Sequence, residues 1–140
     1  MKGNLLLIDD EEMILESSKD LLEDIADKVF TANRGAKGIE VFKSETIHCI
    51  LCDINMPEMN GIDVIKQIRE LNSDVPFIFY TAHGSDELMR EAAKYGAFDF
   101  LDKPALEGLE EIVKRGLKAG VGSKEESPAN FISEFQKLSN

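Results

Sequence analysis

The stretch ILCDINMPEMNG, residues 50–61, decides how this chain folds. Together with Cys49, residues Ile50, Leu51 and Cys52 form a short unbroken apolar run. That is the pattern of a strand covered on both faces of a parallel sheet. The run ends in a carboxylate, Asp53, and is followed by Pro57 and Gly61, residues that punctuate regular structure. A carboxylate at the rim of a core is costly to desolvate unless a partner meets it. The rest of the sequence supplies candidate partners.

Working outward, apolar runs recur at residues 5–8 and 75–80, with a short candidate strand at 28–32 and a fifth at 98–101 interrupted by Asp99. Pro76 is tolerable at the start of its strand. Between the runs lie longer segments with apolar residues at helical spacing. These are residues 12–25 (Ile14, Leu21, Leu22, Ile25), 36–43 (Ile39, Val41, Phe42) and 62–71 (Ile62, Val64, Ile65, Ile68, Leu71), then 85–95 and a last face of Leu106, Leu109, Ile112, Val113 and Leu117. Asp86 and Glu87 suit the positive end of a helix dipole, and Gly96 suits its termination. Five strands alternating with five helices give an α/β fold, a doubly wound parallel sheet with helices on both faces. Its crossovers are right-handed. Such sheets bind ligands outside the carboxyl ends of their strands. Asp9, Asp10, Asp53, Thr81, Asp102, Lys103 and Pro104 all fall there.

Composition excludes several functions. The 140 residues fit one domain. A net charge of −11 disfavours nucleic-acid binding, which rests on clustered Lys and Arg, and disfavours anionic membranes for the same reason. No apolar run approaches the roughly 18 residues of a membrane span, so the expected location is the cytoplasm. Cys49 and Cys52 spell C-x-x-C, but residues three apart on a strand face opposite ways. They read as two buried thiols rather than a redox or zinc pair. His48 and His83 are too few for a histidine metal cluster. The domain is expected to span residues 1–119. Residues 120–128 read as a linker, and the remainder as a short amphipathic helix with Pro128 at its first position and Phe131, Ile132, Phe135 and Leu138 on its face. A helix that short is marginal unless it docks.

Topology gathers Asp9, Asp10 and Asp53 on one rim. Two unit charges about 4 Å apart repel by roughly 4 kcal/mol at an effective dielectric of 20. A cation must balance them. Hard oxygen donors in an incomplete protein shell suit Mg²⁺, and Lys103 supplies a fixed positive charge opposite. A carboxylate so placed is equipped to attack phosphorus and form an aspartyl phosphate. Thr81 would offer a hydroxyl to a phosphoryl oxygen. Taken singly, the acids read as solvated turn residues and Lys103 as a surface lysine. Their common register carries the assignment.

Five motifs in order, Ile8-Asp9-Asp10-Glu11, Asp53 to Gly61, Tyr80-Thr81-Ala82-His83, Gly96 to Leu101 and Lys103-Pro104, resemble the receiver domain of two-component response regulators, over residues 3–119. The resemblance implies the flavodoxin-like strand order 2-1-3-4-5. It implies that Asp53 is the phosphorylated residue, that Asp10, Asp53 and the main-chain carbonyl of Asn55 ligate Mg²⁺, and that Asp9 assists through water. Lys103 would pair with Asp53, across a cis Lys103-Pro104 bond. Thr81 and Phe100 would form a switch that repacks the face of the fourth helix, fifth strand and fifth helix. Asn55 and His83 would tune dephosphorylation. Phe100 stands where tyrosine is frequent, so it can rotate but offers no hydroxyl.

The implied function is a stand-alone, chemotaxis-type phospho-acceptor. Its donor would be a histidine kinase or histidine phosphotransfer protein, and its output contact with a protein target. Two alternatives remain at this point. One is a degenerate receiver used only for docking. The other is a Mg²⁺-dependent phosphohydrolase with an aspartyl-phosphate intermediate, although such enzymes typically carry the nucleophile after the first strand. A flavin carrier of the same fold class would need a phosphate-holding Ser/Thr/Gly loop where this chain has Asp9 to Glu12.

Overall fold

Five apolar segments pair in parallel as one sheet, β1 (Asn4–Ile8), β2 (Lys28–Ala32), β3 (Cys49–Cys52), β4 (Phe77–Thr81) and β5 (Asp99–Asp102). Their order across the sheet is β2-β1-β3-β4-β5. The computed structural model describes residues 1–82 and 84–125. In register, Ile8 lies beside Cys52, Cys52 beside Phe79, and Thr81 beside Asp102. The strands therefore end nearly level, and the residues following them share one rim.

Alternation along the strands divides the core in two. Leu6, Ile8, Ile50, Cys52, Phe77 and Phe79 face one way, against Ile39 of α2 (Gly35–Ser44), Ile62, Ile65 and Ile68 of α3 (Gly61–Leu71), and Ala92 of α4 (Asp86–Lys94). Leu5, Leu7, Cys49, Leu51, Ile78 and Tyr80 face the other way, against Leu15 and Leu22 of α1 (Glu12–Leu22) and Leu109, Val113 and Leu117 of α5 (Leu106–Glu125). The two cysteines thus lie on opposite faces, as their spacing requires, and both are free and buried. Burial pushes both thiols well up from their usual range.

Boundaries depart from the sequence reading where local bonds override periodicity. The helical pattern to residue 25 ends α1 at Leu22, and residues Glu23–Ile25 tighten into a 3-10 turn. β4 and β5 each run one residue further than expected, to Thr81 and Asp102. The expected linker at 120–128 is helical as far as Glu125, because α5 continues. Two of the α5 glycines, Gly116 and Gly120, sit in close contact with the sheet. A methyl group on Gly120 would strike the His48 carbonyl, and one on Gly116 would lie 2.7 Å from Cys49 Sγ. Val121 is buried. Tertiary contact outweighs the helix penalty of about 1 kcal/mol per glycine. Residues 126–140, which hold the expected short helix, lie outside the described residues.

Two local devices fix the helices that flank the rim. The Asn60 side chain accepts from the Asp63 N–H while Asp63 accepts from the Asn60 N–H, a reciprocal cap that starts α3. Arg69 donates to the carbonyls of Tyr95 (2.6 Å), Gly96 (3.0 Å), Val75 (2.8 Å) and Asn72 (3.4 Å). Its guanidinium thereby ties the ends of α3 and α4 to the entry of β4. Gly96 at φ 72° ends α4 in the left-handed region, where glycine carries no Cβ penalty. His48 is structural. Its Nδ1 accepts the Asn4 N–H at 2.8 Å at the start of β1.

Candidate functional site

Asp9, Asp53 and Lys103 are each the first residue beyond a strand, and the neighbouring strand holds each there. The Asp9 N–H donates to the Ala32 carbonyl (3.1 Å), the Asp53 N–H to the Ile8 carbonyl (3.0 Å), and the Lys103 N–H to the Thr81 carbonyl (3.0 Å). Backbone pairing sets these positions before any side-chain chemistry acts.

The two buried carboxylates are used in parallel ways. Asp9 Oδ1 accepts the Glu11 N–H at 3.0 Å, and Asp53 Oδ1 accepts the Asn55 N–H at 3.3 Å, each across two residues. That local turn is characteristic of aspartate. The second oxygens both meet one ammonium. Lys103 Nζ lies 2.6 Å from Asp9 Oδ2 and 3.1 Å from Asp53 Oδ2, with Glu11 at 3.8 Å. The resemblance gave Lys103 to Asp53, and the geometry adds a shorter bond to Asp9. The Lys103–Pro104 peptide is cis, as the resemblance implied.

Burial raises the Asp9 carboxyl above its ordinary range, against the opposing pull of the Lys103 hydrogen bond, the Glu11 N–H and the Lys103 charge. For Lys103, burial works downward, but the hydrogen bond and charge of Asp9, then of Asp53, outweigh it, and the ammonium is held more firmly charged. Cys52, beside Asp53, is buried and faces the charges of Asp53 and Asp9, which keeps it a neutral thiol and removes it as a nucleophile.

Ligand oxygens of Asp9, Asp10 and Asp53 all lie within 4.8 Å of one another, two residues buried and Asp10 exposed. This all-carboxylate set fits a small hard cation that keeps solvent and phosphate oxygens as further ligands. Asn55 and Thr81 close the opposite side, with Asn55 Nδ2 3.4 Å from Thr81 Oγ1. Phe100 is half-buried and stacked on Phe79, centroids 5.6 Å apart and planes 14° from parallel. It therefore belongs to the core cluster that includes Leu88 and Ala92 of α4. His83 lies outside the described residues.

Contact explains why glycine stands at position 61. A Cβ there would collide with the Asp53 carbonyl oxygen and come within 2.9 Å of Ile54 Cα. The Gly61 N–H donates to the Ile54 carbonyl at 2.8 Å. The loop after Asp53 folds back onto its own start, and Glu58 takes a positive φ of 67° within it. Two contributors escaped the sequence reading. Tyr80 lies with its ring 5.7 Å from Lys103 Nζ, and Glu11 adds a third carboxylate facing that ammonium. Tyr80 stood in a strand and in one of the five motifs but was given no role of its own. Glu11 was part of the first motif but was given no role beside the aspartates.

Comparison with known proteins agrees with this geometry. The chain is 32% identical over 133 residues to the transcriptional regulatory protein ZraR of Escherichia coli K12, covering 94% of this chain and 30% of that protein. It is 31% identical over 133 residues to the response regulator protein TmoT of Ectopseudomonas mendocina, covering 94% and 60% respectively. The chain thus spans only part of those relatives. Among solved structures it superposes on a response regulator receiver domain protein from Clostridium thermocellum (TM-score 0.77, 29% identity, 88% of this chain and 97% of that one). It also superposes on a CheY-like receiver domain protein from Methanospirillum hungatei JF-1 (TM-score 0.80, 26% identity, 86% and 97%). The response regulator receiver domain family matches residues 5–115. With that match covering most of its length, and with the sheet order and acidic rim already described, this chain belongs to the response regulator receiver domain family.

Proposed function

We propose that Asp53 accepts a phosphoryl group from a phosphohistidine in a Mg²⁺-dependent reaction, and that the acyl phosphate changes affinity for protein partners. One observation carries this reading. The single ammonium of Lys103 bridges Asp9 and Asp53 beside a three-carboxylate cluster. That arrangement is suited to holding one carboxylate oxygen ready while charge gathers on a transferring phosphoryl group.

Asp9, Asp10 and Asp53 would hold the metal, with the Asn55 carbonyl. When bound, Mg²⁺ supplies charge neutralisation at the phosphoryl oxygens. In the transfer, the bond between Asp53 oxygen and phosphorus forms as the P–N bond to the histidine breaks, and the imidazole leaves with the electron pair. Lys103 then pairs with the phosphoryl group. Thr81 donates its hydroxyl to a phosphoryl oxygen. Phe100, now stacked on Phe79, turns toward the space that Thr81 vacates. Asn55 and His83 tune hydrolysis of the acyl phosphate. The chain acts on itself and is not a turnover enzyme.

The donor is a histidine kinase or a histidine phosphotransfer protein in the cytoplasm. No helix among the described residues is long and apolar enough to cross a membrane. Output runs through α4, β5 and α5 to a protein target, not to nucleic acid, in keeping with the net charge of −11.

The test is intact mass after incubation with Mg²⁺ and acetyl phosphate. One added phosphoryl group, absent with EDTA and absent in Asp53→Asn, is expected. No addition under conditions where Mg²⁺ binding is shown separately would overturn the acceptor reading in favour of a docking module. Catalytic turnover of small phosphate esters would favour the phosphohydrolase.

A further inference from the structure

Lys103 reaches the rim on a flexible four-carbon stem, and its tip meets the carboxylates of Asp9 and Asp53. Phosphoryl transfer would take one of those partners away. Once the Asp53 oxygen bonds to phosphorus, the ammonium has to shift onto the phosphoryl group. An ammonium that changes partners in a dry pocket needs a support that stays the same throughout.

Tyr80 is placed to be that support. It is buried on the α1–α5 face of the sheet, where the other core residues from β1, β3 and β4 are Leu5, Leu7, Cys49, Leu51 and Ile78. It follows Phe79, the register partner of Cys52, and so stands level with Asp53. Its own partner on β5 is Leu101, two residues before Lys103. The ring centroid lies 5.7 Å from Lys103 Nζ, inside the roughly 6 Å reach of a cation–π contact. The Ala105 main-chain N–H bears on the Tyr80 hydroxyl, so the side chain runs alongside residues 103–105.

Burial sets this contact apart. Among the described residues, Lys66 also meets the ring of Tyr95 and Arg115 that of Phe98. Those cationic side chains are 40% and 58% exposed, against 7% for Lys103. Water competes for the first two, and a cation–π contact strengthens where solvent is excluded. The attraction is also broad in direction, because it comes from the charge distribution of the whole ring face. A hydrogen bond demands a defined angle at each acceptor. An ammonium resting on the ring can therefore pass from carboxylate to phosphoryl oxygen without leaving its support.

We infer that Tyr80 is a positioning residue for phosphoryl transfer to Asp53, its ring holding the Lys103 ammonium beside Asp9 and Asp53 and guiding it onto the phosphoryl group. The inference rests on the acceptor reading and adds to it a residue that acts only through Lys103.

Tyr80→Met and Tyr80→Leu remove the ring and keep an apolar side chain, so that one serves if the other fails to fold. Tyr80→Phe keeps the ring, and Ile78→Val trims the same face of β4 as a packing control. The first readout is the Lys103 side-chain NMR signal in EDTA without phosphodonor. Protons over a ring face shift upfield, and that shift is expected in the parent and in Tyr80→Phe but not in the ringless variants. The second is the rate of phosphoryl gain by intact mass, with Mg²⁺ and a range of acetyl phosphate concentrations. The ringless variants should lose about tenfold in the limiting rate, with unchanged donor half-saturation and an unchanged Tm increment on adding Mg²⁺. Tyr80→Phe and Ile78→Val should stay within about twofold of the parent. Ringless variants as fast as the parent, or an equal loss in Ile78→Val, would overturn the inference and leave Asp53 as acceptor. So would a Lys103 signal that is the same with and without the ring. A parent that gains no phosphoryl group would overturn the acceptor reading itself, and the positioning role with it.

Discussion

Replacing Lys103 with methionine isolates the electrostatics of the rim, because the stem is kept and only the ammonium is lost. The side chains of Lys103 and Asp9 are each 7% exposed and that of Asp53 is 5% exposed, so solvent replaces little of what is removed. Truncating one partner of a buried ion pair costs about 3–5 kcal/mol, since the remaining charge is left uncompensated. Here two carboxylates lose the same partner. Their mutual repulsion is of the order of 4 kcal/mol at 4 Å and an effective dielectric of 20. Proton uptake by Asp9, already raised by burial, limits the loss. We expect Lys103→Met to lose about 3 kcal/mol at pH 7 without divalent metal, a fall in Tm of about 10 °C for a domain of this size. The sign with pH follows from linkage. A carboxyl whose folded pKa lies above its unfolded value destabilises the fold above that folded pKa and ceases to do so below the unfolded value of 3.8. Loss of Lys103 strengthens this penalty, so the gap between variant and parent should narrow as pH falls from 7 toward 4. Thermal unfolding in EDTA at both pH values checks it. Equal Tm values at pH 7, or a gap that does not change with pH, would refute the account of Lys103 as the neutralising charge.

Metal binding should follow the same titration. The rise in Tm on adding Mg²⁺ to the parent protein, governed by the ratio of metal concentration to Kd, should shrink as pH falls through the raised folded pKa of Asp9, and a pH-independent increment would exclude Asp9 from the site. Gly61→Ala should lose about 1–2 kcal/mol despite the better helix propensity of alanine, because overpacking against the Asp53 and Ile54 backbone outweighs it, and it should slow uptake of phosphoryl from acetyl phosphate. Gly122→Ala, where an added methyl meets nothing within 4 Å, should instead gain up to about 1 kcal/mol in the same unfolding assay.

Strand identity was most readable at β1, β3 and β4, whose cores are unbroken apolar runs, and least at β5, where aspartate interrupts the run. Cys49–Cys52 stands between His48 and Asp53, and all four of its residues are buried. The rim was readable for a related reason. In a parallel sheet the residue after each strand has a fixed address, so Asp9, Asp53 and Lys103 could be placed together from order alone. What sequence did not reveal depended on three-dimensional neighbours. Gly120 looked like a linker residue, and its place inside α5 against the His48 carbonyl is set by neighbours distant in sequence. Arg69 carried no signal in the sequence, since its four carbonyl acceptors come from segments that only the fold assembles. The shared role of Lys103 likewise needs distances, since either acid alone would satisfy the pattern.

The edge strand β5 has a consequence for solubility. It is four residues long and carries an aspartate at each end, and the Asp99 carboxylate accepts the N–H of Phe100 at 2.8 Å. A donor that an approaching strand would otherwise use is thereby occupied, and two negative charges guard the open side of the sheet. Short, charged edges resist the strand-to-strand zippering that seeds aggregates. A protein that meets this side of the molecule must therefore recognise side chains and helix surfaces, and the sheet itself stays closed to extension at β5.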